Sequence, residues 1–307
     1  MEQLTIRSAW LESFGALAVH GADARAFLQA QLTNDVEQLP PDCARRAGWC
    51  SAKGRLLASL LIVPQAGGFL LQLARDLAPA VSKRLAMFVL RAKVNIADVS
   101  PVTAQLGVWG AGAGERLAAC GLAVPEGDLA LARAGDPVAV RVGTERYLLL
   151  GPGSALASLE AELALPVSND NEWMLAEIRA GYPLIVRATQ DMFVPQMVNL
   201  EALGGVDFKK GCYPGQEIVA RTQYRGQLKR RMVRARGPVG VFLAPAQDLY
   251  SDDLPGQASG TVVSAASVDG ASEVLAVVPV GAAAEGHPVR LAPRGAALEL
   301  LDLPYPT

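Results

Sequence analysis

Arg55-Leu56-Leu57-Ala58-Ser59-Leu60-Leu61-Ile62-Val63-Pro64-Gln65-Ala66-Gly67-Gly68-Phe69-Leu70-Leu71-Gln72-Leu73 is the stretch on which the fold turns. Two apolar, strand-like runs, 55–63 and 69–73, flank Gly67-Gly68, and glycine there admits the backbone of a tight hairpin turn. An antiparallel pair is predicted. The longest strongly apolar run, 56–63, stops at Pro64-Gln65, far short of the ~20 residues of a membrane helix. Upstream, 44–50 reads as another strand. Residues 21–32 carry a helix signal, with Gly21 or Asp23 as cap and Phe27, Leu28 and Leu32 on one side. Downstream, Asp76 opens a helix to about Leu90, with Leu77, Val81 and Leu85 on one face. Strands at 93–98 and 103–109 complete this unit.

A similar order follows: helix 111–120, a hairpin of 138–142 with 146–150 about Gly143-Thr144, and helix 154–163. Two β-rich units, each closed by a helix, predict an α+β protein with antiparallel sheets rather than a doubly wound sheet. Asp170 opens a short helix over 171–180, which Gly181 and Pro183 end. A long irregular stretch, 183–226, is of a kind usually functional or flexible in compact proteins. Beyond Gly237-Pro238, short strands at 260–266, 273–280, 289–292 and 298–303 predict a small all-β module.

At 307 residues and 51% hydrophobic content, the chain has material for two domains or three small ones. The net charge of −2 excludes a uniformly basic nucleic-acid coat, and His20 and His287, the only histidines, exclude a multi-histidine metal site. Cys43, Cys50, Cys120 and Cys212 form no C-x-x-C pair and no disulfide framework. No metal site is predicted. Residues 1–7 lack the basic and apolar regions of a secretory leader, so a reduced, cytoplasmic, membrane-free protein is expected. Nothing in the sequence calls for an obligate oligomer, and a monomer is expected.

The chemistry concentrates in Lys209-Lys210-Gly211-Cys212-Tyr213-Pro214-Gly215-Gln216-Glu217. Gly211 and Gly215 permit positive φ and Pro214 stiffens the turn, so the thiol of Cys212 is expected on a rigid loop. Lys209 and Lys210 are cations beside it, and cations favour thiolate. A small buried cysteine in a glycine-rich turn is the competing reading. From Lys209 to Arg236 there are nine basic residues and one acid, Glu217, a local charge of +8 that leaves −10 for the rest. Either an anionic partner or acids elsewhere in the fold must balance it.

Val194-Pro195-Gln196-Met197-Val198-Asn199-Leu200, then Gly204-Gly205 and Phe208 through Arg221, resembles the YgfZ-type folate-binding proteins, relatives of the aminomethyltransferase (T-protein) of the glycine cleavage system. Gly21-Ala22-Asp23, Phe27-Leu28-Gln29, Ala52-Lys53-Gly54-Arg55, Arg91-Ala92-Lys93-Val94 and Gly260-Thr261-Val262-Val263-Ser264 extend the likeness over nearly the whole chain. The resemblance implies ferredoxin-like, T-protein-like antiparallel-sheet domains around a central channel, ending in a β-barrel-like domain. The expected division is 1–100 as the first part of the folate-binding region, 101–236 as a second α+β part carrying K-G-C-Y-P-G-Q-E, and 237–307 as the barrel-like domain. It implies tetrahydrofolate, or another reduced folate, as cofactor. It also implies iron–sulfur client enzymes as partners, including one that thiomethylates tRNA. The family's functional cysteine falls on Cys212 and its preceding lysine on Lys210, with Lys209, Gly211, Tyr213, Gly215, Gln216, Glu217 and Arg221 as motif support. Of the two tryptophans lining the family's folate site, one matches Trp173 and the other aligns with Phe14.

Two departures stand out. Aminomethyltransferases carry an acidic pair just after the position of Lys53-Gly54, whereas here no carboxylate occurs from Arg55 to Arg75. Transfer of an aminomethyl group needs a residue to position or deprotonate the amine, so its absence argues against that activity. Where relatives often read R-I-E-A-G, this chain reads Glu177-Ile178-Arg179-Ala180-Gly181, and two residues is about 200° around a helix. The leading expectation is a folate-binding accessory protein for iron–sulfur enzymes rather than a conventional enzyme. Its alternatives are an aminomethyltransferase or demethylase, and a tRNA-binding module on the basic stretch. Direct nucleic-acid binding is not expected.

Overall fold

The computed structural model describes residues 6–133, 135–226, 228–252, 254 and 256–307. Residues 1–5 of the expected leader-free start lie outside them. In chain order the elements are β1 (Arg7–Trp10), β2 (Phe14–His20), α1 (Ala24–Gln31), β3 (Arg45–Cys50), β4 (Leu56–Gln65), β5 (Gly68–Ala74), α2 (Ala78–Ala86), β6 (Asn95–Asp98), β7 (Ala104–Trp109) and α3 (Ala113–Ala119). They continue as β8 (Leu131–Arg133), β9 (Val138–Gly143), β10 (Arg146–Gly151), α4 (Gly153–Leu163), α5 (Asp170–Arg179), α6 (Gln216–Arg225) and β11 (Arg230–Arg236). The last are β12 (Asp248–Ser251), β13 (Ala258–Val268), β14 (Ala271–Pro279), α7 (Val280–Glu285), β15 (Val289–Arg290) and β16 (Glu299–Leu301). Among the described residues no helix is long and apolar enough to cross a membrane.

The chain forms two compact, discontinuous units. The first comprises residues up to Phe27, Val36–Arg45 and Leu61–Trp173; the second comprises Leu28–Asp35, Arg46–Leu60 and Met174–Thr307. In the first, the hairpin predicted about Gly67-Gly68 forms, with Gln65 opposite Gly68 and Gly67 at φ +73°. Strand β5 also pairs with β2, placing Phe14 opposite Ala74 and Leu17 opposite Leu71, and β6 pairs on the far side of β2. A second antiparallel sheet has the order β1-β7-β10-β9-β8. Leu106, Val108 and Leu149 of this sheet pack with Leu117 of α3 and with Leu156, Leu159 and Leu163 of α4.

The second unit holds an antiparallel, curled six-stranded sheet in the order β15-β12-β13-β14-β11-β16. Ala235, Leu249, Val262, Val274, Ala276 and Val278 form its core. The same unit carries most of β3 and the start of β4. There Asp191 N–H donates to Leu56 O at 2.8 Å and Leu56 N–H to Phe193 O at 2.8 Å, so residues 191–193 run along the strand as a third ribbon.

The architecture is the predicted α+β class, with four local differences. The helix expected over 76–90 begins as a tight turn at Arg75–Leu77 and ends at Ala86, and Leu90 at φ +44° blocks its continuation. Strands β1 and β2 lie in a segment where only a helix was legible, because Gly15 and small residues blur the alternation of β2. Within the stretch read as irregular, α6 forms with Val219 as its fully buried apolar residue, leaving almost no periodic apolar stripe. Strand β11 hides in the basic run, its alternate residues Arg230, Met232 and Arg234 giving no clean pattern.

Candidate functional site

The K-G-C-Y-P-G-Q-E loop precedes α6 in the second unit. Its entry is fixed by Asp207, whose carboxylate accepts the backbone N–H of Lys209 at 2.7 Å and of Lys210 at 3.1 Å. Lys210 then turns inward. Its ammonium donates to Leu32 O at 2.6 Å and to Gln29 O, carbonyls at the C-terminal end of α1, and lies 5.2 Å from the centroid of the Tyr213 ring. Cations suit helix C-termini because the unpaired carbonyls there carry partial negative charge. Burial pulls the Lys210 pKa down to about 8, against the opposing charges of Asp35, Asp207 and Cys212.

The loop's exit is fixed by shape. Gly215 is the cap of α6 at φ +79°, and a Cβ there would sit 2.4 Å from Ser51 O and 2.6 Å from Gly54 Cα. Gly54, itself at φ +69°, turns the Ser51–Gly54 segment through a 2.9 Å bond from Gly54 N–H to Ser51 O. Two backbones thus touch without side chains between them. Gly211 differs from the expectation: its φ is not positive and no heavy atom lies within 4 Å of where its Cβ would be. Between these anchors Tyr213 is buried and Cys212 is exposed. Burial first, and Cys50 second, raise the Tyr213 phenol above its ordinary range. Cys50 is 2% exposed at the end of β3, with its thiol pushed up by burial and then by Asp191. Lys209, Glu217 and Arg221 are exposed and Gln216 is half-buried.

The Val194–Leu200 segment proves to be a clasp. Gln196 donates to Val219 O in α6 at 2.8 Å, and Asn199 donates to Met232 O in β11 at 3.0 Å. Among the described residues, three basic side chains of the stretch, Arg231, Arg234 and Arg236, meet carboxylates within their own unit. Arg231 pairs with Glu201 at 2.8 Å. Glu273, its side chain 5% exposed, takes Arg179 at 2.8 Å, Arg236 at 3.3 Å and Arg234 at 3.9 Å. Arg179, the residue exchanged with an acid relative to the family pattern, is therefore committed to a buried carboxylate. Burial alone would raise the Glu273 pKa; the three guanidiniums outweigh it and hold it low.

Phe14 and Trp173 both lie in the first unit. Ser13 N–H donates to Asp170 at 2.8 Å and the Ser13 hydroxyl bonds the same oxygen, so the residue before Phe14 is tied one turn ahead of Trp173. Phe14 lines a pocket of about 250 Å³ together with Glu12, Arg75, Gln105, Trp10 and Ser100. Trp173 is not among that pocket's lining. It is 1% exposed, with Gly107 against its ring, Trp109 edge-on at 5.6 Å and the Arg146 guanidinium 5.2 Å from its ring centroid. Glu12 and Arg75 were invisible to sequence reasoning, since neither stands in a motif; only the pocket selects them. Asp191 was likewise missed. Its carboxylate accepts the Ser51 hydroxyl at 2.7 Å, bringing an acid beside the Lys53-Gly54 turn that lacks one in sequence.

Antiparallel α+β units with a curled terminal sheet make up a scaffold with the fold of the glycine cleavage T-protein. The solved aminomethyltransferase T of the glycine cleavage system from Bartonella henselae superposes with a TM-score of 0.75 over 98% of this chain and 86% of that one, at 19% identity. No family model matches the sequence. The tRNA-modifying protein YgfZ of Edwardsiella ictaluri is 35% identical over 275 residues, covering 86% of this chain and 81% of that one. Those of Serratia proteamaculans and Escherichia coli are 31% and 30% identical, over 83% and 87% of this chain. The chain belongs to the YgfZ family.

Proposed function

We propose that this protein binds a reduced folate, tetrahydrofolate, and supports assembly or repair of iron–sulfur clusters in client enzymes, among them a tRNA-thiomethylating enzyme, through Cys212. The observation that carries the reading is the exposure of Cys212 between two fixed anchors, the buried Lys210 clamp and the Gly215–Gly54 contact. A thiol held so can meet a partner protein's metal or sulfur without the loop having to order itself first. Lys210 is a positioning residue: its ammonium is spent on α1 carbonyls while its charge stays near the thiol. The names of the curated relatives support the link to tRNA modification.

For the folate, the pocket beside Phe14 offers an aromatic wall, the Glu12 carboxylate for an amino-pyrimidine edge and the Arg75 guanidinium for an anionic group. At about 250 Å³ it suits one ring system rather than a whole folate. Trp173 lies on the helix that Asp170 ties to Ser13, and its ring, sealed against Gly107 and Trp109, acts there as a buttress. A bound reduced folate would supply a ring able to accept a one-carbon unit or to donate electrons.

The test has two arms. Tetrahydrofolate titration followed by tryptophan fluorescence is expected to saturate, with affinity reduced in Phe14→Ala and Glu12→Gln; unchanged affinity in both overturns the assigned site. In a strain lacking this protein, Cys212→Ala is expected not to restore iron–sulfur client activity. Full restoration refutes the role of the thiol.

A second reading, folate-dependent aminomethyl transfer, has one observation in its favour, the return of a carboxylate to the Lys53-Gly54 turn as Asp191. Methylene-tetrahydrofolate formed from an S-aminomethyl donor and tetrahydrofolate, with release of ammonia and the free thiol, by the wild type and lost in Asp191→Asn would establish it. Direct tRNA binding is disfavoured by the ion pairs that occupy Arg231, Arg234 and Arg236.

A further inference from the structure

A second pocket, of about 270 Å³, lies wholly within the second unit. Its charged walls are Arg55, Asp191 and Arg230, Thr261 adds a hydroxyl-bearing side chain, and its apolar walls include Met192, Phe193 and Met197. The fold builds it deliberately. The 191–193 ribbon is pinned to the start of β4 by two 2.8 Å backbone bonds, and Asp191 sits in the left-handed conformation at φ +61°. Such a conformation costs a non-glycine residue ~1–2 kcal/mol, least for Asp and Asn. Arg55 is oriented by donating from one terminal nitrogen to Met192 O at 2.8 Å and Asp191 O at 3.4 Å, which leaves its other donors available. Among the described residues no side chain pairs with the guanidinium of Arg230, in contrast to Arg231, Arg234 and Arg236 of the same strand. Asp191 uses one carboxylate oxygen on Ser51.

We infer that this pocket binds a small zwitterion, an α-amino acid with an apolar side chain. Arg230 and Arg55 take the carboxylate, Asp191 takes the ammonium, and the two methionines with Phe193 take the side chain. Guanidiniums recognise carboxylates with directional, charge-assisted bonds, and a lone carboxylate opposite them selects a cationic group on the same ligand. Methionine walls adapt to varied apolar shapes. A simple anion would meet Asp191 as a repulsive neighbour, and a simple amine would meet the two arginines. This inference stands independently of folate binding.

The full chain labelled with [methyl-13C]methionine provides the assay, because Met192 and Met197 line the pocket while Met87 lies in the other unit and is 72% exposed. L-Phenylalanine is the probe, with phenylacetate and phenethylamine as its half-ligands and inorganic phosphate as a bare anion. The Met192 and Met197 methyl signals are expected to move saturably with phenylalanine while Met87 stays still. Affinity for each half-ligand, and for phenylalanine in Arg230→Gln or Asp191→Asn, is expected to fall by about tenfold or more, as loss of one charge-assisted bond implies. Arg230 is exposed at the first residue of β11 and Asn tolerates the Asp191 backbone, so both variants keep the fold. Absence of saturable shifts overturns the inference. So does equal response to phenylacetate, to phosphate, or in Arg230→Gln.

Discussion

Substituting each of the two glycines of the K-G-C-Y-P-G-Q-E loop by alanine separates a structural requirement from a motif coincidence. At Gly215 the added Cβ meets backbone, Ser51 O at 2.4 Å and Gly54 at 2.6 Å, atoms that cannot rotate away. The φ of +79° adds a left-handed penalty of ~1–2 kcal/mol. Overpacking against rigid neighbours adds ~1–3 kcal/mol. Gly215→Ala should therefore destabilise the second unit by about 2–5 kcal/mol. At roughly 2–4 °C per kcal/mol, the melting transition falls by about 4–20 °C. At Gly211 nothing lies within 4 Å and φ is not positive, so Gly211→Ala should change stability by no more than about 0.5 kcal/mol. The assay is paired: thermal unfolding by circular dichroism, and the rate of Cys212 alkylation by a maleimide in the native state. Gly215→Ala is expected to lower the transition and alter the alkylation rate, and Gly211→Ala to leave both near wild type. Equal destabilisation by the two variants would refute the account of the loop as anchored at Gly215.

Four further predictions concern the surrounding framework. Glu273→Ala leaves three guanidiniums about an empty, buried position and should cost about 3–5 kcal/mol, whereas half-exposed Arg179→Ala should cost about 1 kcal/mol or less; chemical denaturation measures both. Because the Glu273 pKa is held low, its stabilisation is present above the unfolded value near ~4.3 and is lost as pH falls through the lower folded value, a loss that Glu273→Gln should abolish. Lys210, whose pKa is also lowered on folding, acts in the same sense in a higher pH window. With a folded pKa of about 8, the unfolded chain holds more protons from there up to ~10.4, so stability should rise with pH across that window, and Lys210→Gln should flatten the rise. Gly107→Ala would place a methyl 2.3 Å from the Trp173 ring and should cost about 1–3 kcal/mol, with loss of near-ultraviolet tryptophan dichroism as the readout.

Much of the fold was legible locally. The Gly67-Gly68 hairpin, the 138–150 hairpin and the terminal run of short strands are announced by alternating apolar residues and glycine turns, signals that depend only on neighbours in sequence. Helix α6 and strands β1, β2 and β11 were not, because their registers are set by partners remote in the chain: Val219 by Gln196, Met232 by Asn199, Ser8 and Ala9 by β7. Burial that arises from distant partners leaves little periodicity to read.

The same division holds at the site. The sequence by itself determined that Cys212 stands in a glycine-flanked, lysine-preceded loop of the YgfZ type, since that information is contiguous. It also identified Phe14 and Trp173 by likeness, but it could not say that one lines a pocket while the other is sealed beneath Gly107. Only the tertiary structure decided that Lys210 bonds the end of α1 and that Gly215 but not Gly211 needs to be glycine. It alone placed Arg179 on Glu273 and returned an acid, Asp191, to a turn whose own segment has none. Each of these rests on atoms separated by tens to nearly two hundred residues, where hydrogen-bond geometry and excluded volume act through space and composition carries no trace of the pairing.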